Sequence, residues 1–69
     1  MTQVEAEMTA TVWKLTVANG ETVESGQTIA VLESMKMEIP VEATASGVVT
    51  FKVTEGSDVA EGDVIAEIS

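Results

Sequence analysis

Apolar and polar side chains alternate through most of this 69-residue chain. Trp13, Leu15 and Val17 alternate with Lys14 and Thr16, and Val49, Phe51 and Val53 with Thr50 and Lys52. Met37, Ile39, Val41 and Ala43 alternate with Glu38, Pro40, Glu42 and Thr44. A period of two sets one face of each segment against a core and predicts strands. The apolar run Ile29 to Leu32 adds another strand. Asn19-Gly20 and Glu55-Gly56 supply turn chemistry, because glycine tolerates positive φ, and Gly26 and Gly62 punctuate again six residues later. One proline and five glycines break the helical windows, and β-branched residues dominate between them. The expected fold is all-β, a flattened barrel or sandwich of seven or eight short strands.

The pattern occurs twice. With residues 12–32 set above residues 48–68, an offset of 36, seven of 21 positions are identical: Val12/Val48, Val17/Val53, Gly20/Gly56, Val23/Val59, Gly26/Gly62, Ile29/Ile65 and Ala30/Ala66. Glycines fall at turns and valines in strands. The expectation is two copies of one supersecondary unit forming two halves of one core. Residues 33–47 have no partner in this alignment. Within them, two strands meet at a tight turn near Met35-Lys36, so Lys36 projects from a hairpin tip. Pro40 cannot donate to a ladder and marks its strand as an edge.

Composition narrows the chemistry. There is no His, Cys, Tyr or Arg, so neither a Ser-His-Asp or Cys-His set nor a Cys/His zinc site can be built. No catalytic residue and no metal ligand set is expected. Three lysines face twelve carboxylates, for a net charge of −9, and a nucleic-acid backbone would be repelled. No apolar run reaches the length of a membrane span, and the segment from Met1 to Met8 lacks the basic start and apolar run of a signal peptide. Without cysteine the cytoplasm is the expected compartment. Apolar residues make up 45% of the chain, enough for a core worth roughly 3–5 kcal/mol.

Lys14 and Lys52 lie on the polar phase of expected strands and read as solvated charges. Lys36 lies outside the repeat, between Met35 and Met37. Thioethers beside a hairpin tip lie away from the core and suit a surface that a partner grips. Glu33-Ser34-Met35-Lys36-Met37-Glu38, followed by Ile39-Pro40-Val41-Glu42-Ala43, resembles the attachment site of biotinyl (biotin carboxyl carrier) domains, whose hallmark is Ala/Ser-Met-Lys-Met. Val12-Trp13-Lys14-Leu15 through Gly20 and Gly26 resembles the family's first half. Gly47-Val48-Val49 through Gly56, Gly62 and Asp63 resembles its second. The resemblance covers roughly residues 8–69. Ala10 stands where many relatives have glycine, which puts the first turn in question. The short connection from Asn19 to Gln27 resembles the type without a protruding "thumb".

The resemblance implies a single domain over residues 1–69. It implies two four-stranded antiparallel sheets with quasi-twofold symmetry, the biotinyl/lipoyl "hammerhead". It also implies a non-catalytic, stand-alone carrier with biotin covalently attached to Lys36. Met35 and Met37 would serve as flanking recognition residues. An ordinary lysine ammonium holds its proton at neutral pH, so a separate biotin protein ligase would carry out the attachment. Biotin carboxylase and carboxyltransferase would be the later partners, acting on an acyl-CoA or pyruvate. Two alternatives stay open at this point: a lipoyl-type carrier, whose tip usually reads Asp-Lys-Ala, and an unmodified β interaction module.

Overall fold

The computed structural model describes residues 2–69; Met1 lies outside the described residues. Eight strands follow one another: β1 (Thr2–Glu5), β2 (Ala10–Leu15), β3 (Thr22–Val23), β4 (Thr28–Ser34), β5 (Met37–Glu42), β6 (Gly47–Phe51), β7 (Asp58–Val59) and β8 (Val64–Ile68). There is no helix among the described residues. The strands form two four-stranded antiparallel sheets, ordered β1-β8-β6-β3 and β5-β4-β2-β7. β5 is an edge strand, as Pro40 requires.

The inner faces of the two sheets bury Val12, Val23, Ile29, Leu32, Val49 and Ile65 almost completely, and among the described residues no polar or charged residue is buried with them. Each such side chain contributes about 1.5–3 kcal/mol. Leu15, Val17, Phe51 and Val53 pack against this core while half-buried. Glycines at positive φ close the turns at residues 18–21, 24–27, 54–57 and 60–63, each by a hydrogen bond of 3.0–3.1 Å across four residues.

The twofold relationship extends further than the sequence repeat. Leu32 opposite Ile39 in the β4–β5 ladder corresponds to Ile68 opposite Thr2 in β8–β1, and Ala30–Val41 corresponds to Ala66–Val4. Both ladders then shift register at the next pair. Residues 33–47 therefore do have a structural partner, because β5 is matched by β1. Val4-Glu5-Ala6 repeats as Val41-Glu42-Ala43, but β1 stands at the start of the chain and not after β8, so the alignment of residues 12–32 on 48–68 does not reach it.

Trp13 departs from the expected facing. The β2–β4 register passes from Val12–Leu32 to Lys14–Val31, which leaves Trp13 as the extra residue of a β-bulge, 51% exposed. The β6–β8 ladder runs through Val49, Thr50 and Phe51 without a bulge. Backbone bonds fix the equivalence. Val12 bonds to Ser57 and Gly56 as Val49 bonds to Glu21 and Gly20. The Leu15 N–H donates to Glu55 Oε2 at 3.0 Å, as the Phe51 N–H donates to Asn19 Oδ1 at 2.8 Å. Val12 thus matches Val49, not Val48, and Val48 is exposed. Ala10 begins β2 opposite Val59 with no positive φ, so its side chain is accommodated.

Candidate functional site

The hairpin from β4 to β5 is closed by Ser34 opposite Met37, leaving Met35 and Lys36 as a two-residue turn. Their φ angles are 51° and 67°, and they are the only non-glycine residues at positive φ among those described. Two residues in the left-handed region match the twist of the flanking strands, which is why Asn-Gly is the usual choice at such a turn. Methionine and lysine each pay about 1–3 kcal/mol to sit there. Neither residue gains compensating burial: Met35 is 93% exposed and Lys36 is exposed.

Along β5 the exposure is graded. Met37 is 59% exposed, Ile39 is half-buried, and Val41 and Ala43 belong to the core. The expected single apolar face therefore holds only for its inner end; at the tip there is no opposing sheet to cover Met37. Glu33 and Glu38 face each other across the ladder just inside the turn. The structure thus brings Met35, Lys36 and Met37 to one exposed tip with a carboxylate on each strand beneath it.

The other lysines lie elsewhere. Lys14 is exposed on β2, opposite Val31. Lys52, just after β6, places its Nζ 3.0 Å from Glu67 Oε1 on the neighbouring strand β8. The Lys52 hydrogen bond and charge hold the Glu67 carboxyl below its ordinary value. Sequence reasoning missed the exposure of Trp13. The available signal was the one extra residue in Val12-Trp13-Lys14-Leu15 relative to Val49-Thr50-Phe51.

A family model described as "Biotin-requiring enzyme", the biotin/lipoyl model, matches residues 2–68. The chain belongs to the biotin/lipoyl family. It is 49% identical over 67 residues to the biotin/lipoyl attachment protein of Bacillus subtilis, covering 96% of this chain and 92% of that protein. It is 43% identical over 67 residues to the biotinylated protein TB7.3 homolog of Mycobacterium leprae, covering 96% and 94% respectively. Among solved structures it superposes on the Kluyveromyces lactis urea carboxylase with a TM-score of 0.89 at 37% identity. That match covers 97% of this chain and 6% of the carboxylase. In the biotin/lipoyl family the domain is a carrier and not a catalyst, which agrees with the absence of a Ser-His-Asp set, a Cys-His set and cysteine.

Proposed function

We propose that this chain is a biotin carboxyl carrier, with biotin joined to Lys36 through an amide and residues 1–69 forming one carrier domain. The observation that carries this reading is the Met35–Lys36 turn: two bulky residues held in left-handed backbone and exposed, in a chain of the biotin/lipoyl family. The residues present fit such a group. Lys36 offers a solvent-exposed primary amine that, among the described residues, makes no ion pair. The methionines on both sides favour biotin over lipoate.

The bound biotin supplies a ring nitrogen that accepts and releases a carboxyl group. The chain supplies the rest. Lys36 would lose a proton to the ligase, and its Nζ would attack the carboxyl carbon of biotinyl-AMP, forming the amide as the bond to AMP breaks and AMP leaves, so the charge at the tip would disappear. Met35 and Met37 give the ligase, and later the carboxylase subunits, an adaptable thioether surface. The β scaffold fixes the root of the arm. A tether that fits the span between two active sites raises the local concentration of its group to about the millimolar range. Biotin protein ligase, biotin carboxylase and carboxyltransferase are the proposed partners, an acyl-CoA or pyruvate the proposed acceptor, and the cytoplasm the proposed location.

Co-expression with a biotin protein ligase tests this reading. Intact mass and a streptavidin blot should show one biotin per chain, lost in Lys36→Arg. Signal that persists in Lys36→Arg would move the attachment to Lys14 or Lys52. A lipoyl mass increment from the native source would favour a lipoyl-type carrier, and an unmodified chain under biotin-replete conditions an interaction module.

A further inference from the structure

Beside the hairpin the two sheets part along one side. β1 and β5 are edge strands of opposite sheets, and a groove of about 320 Å³ runs between them. Val4, Leu32 and Val41 form an apolar floor. Glu5, Glu7 and Glu42 stand around it, and Met8, 41% exposed, makes one wall. The groove lies where the twofold axis leaves the molecule, since Val4 matches Val41 and Glu5 matches Glu42. Glu7 and Met8 break that symmetry, because Thr44 and Ala45 occupy the matching positions.

None of the three lysines lines this groove. Among the described residues, Glu5, Glu7 and Glu42 make no ion pair. An apolar floor inside an unneutralised acidic rim is complementary to an apolar side chain flanked by cations. A second copy of this chain, at net charge −9, does not meet that description, and neither does an anionic membrane.

We propose that this groove docks a segment of a partner protein in which an apolar side chain lies between lysines or arginines. Met8 lets the wall adjust to the shape of that side chain. Ile39 and Pro40, which also line the groove, follow Lys36 by three and four residues on the same hairpin. A docked segment is therefore held about 10–13 Å along the strand from the lysine. The groove is complete whether or not Lys36 is modified, so the site stands independently of the attachment.

Titration of the ¹⁵N-labelled full chain with the peptide acetyl-Lys-Leu-Lys-Leu-Lys-amide, followed by NMR, tests the proposal. Saturable shifts at millimolar peptide should centre on Val4, Glu5, Ile39 and Val41. A peptide with glutamate for lysine should leave them unmoved. The Glu5→Gln, Glu7→Gln, Glu42→Gln triple variant should bind about tenfold more weakly. Where its spectrum shows misfolding, Glu7→Gln alone serves, with a smaller loss in the same direction. Lys36→Arg should bind as the parent chain does. Equal binding of both peptides, shifts centred on Trp13, or no saturable shift would each overturn the proposal. So would shifts that appear with protein concentration alone, which would identify a second copy as the occupant.

Discussion

Glu33 and Glu38 stand directly opposite each other in the β4–β5 ladder, one pair inside the Ser34–Met37 pair that closes the turn. Like charges in this arrangement oppose strand pairing. Glu38→Lys should therefore stabilise the domain by about 0.5–1 kcal/mol, read as a higher urea midpoint with an unchanged slope. A lower midpoint would show that solvent already screens the pair.

The turn itself offers a second test. Asparagine tolerates left-handed backbone where methionine does not. Met35→Asn should raise stability by about 1 kcal/mol and, on the proposed recognition role of its thioether, slow ligase-catalysed biotin transfer by at least about fivefold. A variant that is both more stable and modified at the parent rate would assign Met35 no role in recognition.

Gly47 opens β6 at φ 153°, and a Cβ built there would lie 2.5 Å from the Ser69 carbonyl oxygen. Gly47→Ala should cost about 1–3 kcal/mol, a large share of the stability of a domain this small. Thermal unfolding followed by circular dichroism measures it, and an unchanged midpoint would show that the C-terminal strand gives way freely.

Trp13 can be removed altogether. Without it, Val12, Lys14 and Leu15 follow one another as Val49, Thr50 and Phe51 do, and the β6–β8 ladder shows that this register needs no bulge. Deletion of Trp13 should leave a cooperatively folding domain within about 1 kcal/mol of the parent. Loss of folding would mean that the bulge is required for β2 to curve between β4 and β7.

Acid stability should depend on the Lys52–Glu67 pair. Lys52 holds the Glu67 carboxyl below its ordinary value of 4.5 in the folded chain. The pair therefore contributes stability above about pH 4.5 that is lost as pH falls through the lowered native value. Lys52→Met should be less stable than the parent near neutral pH, and the gap should narrow on acidification in a urea series. A gap that stays constant with pH would assign the loss to packing of the lysine stem.

Much of the fold was legible because it rests on local rules. Val49, Phe51 and Val53 follow the period of two, the glycine turns recur at fixed spacing, and Pro40 marks an edge. The hairpin tip was legible for the same reason. Trp13 was not, because a bulge shifts the phase by one residue while Trp13, Leu15 and Val17 still alternate correctly on paper. The match between β1 and β5 was hidden because β1 opens the chain instead of following β8, out of reach of the 36-residue offset, although Val4-Glu5-Ala6 repeats as Val41-Glu42-Ala43. The groove depends on two edge strands far apart in sequence, so no local pattern announces it.

The near-symmetry of the two halves has a mechanical consequence. The pair of strand ends formed by Thr2 and Ile68 occupies, in one half, the place that Leu32 and Ile39 occupy beneath the tip in the other. Any segment joined to either end of this domain therefore leaves from the pole opposite Lys36. With the arm on Lys36 as proposed, a leash anchored there would pull on the scaffold without crowding the arm, and the lysine would stay the leading point of the domain.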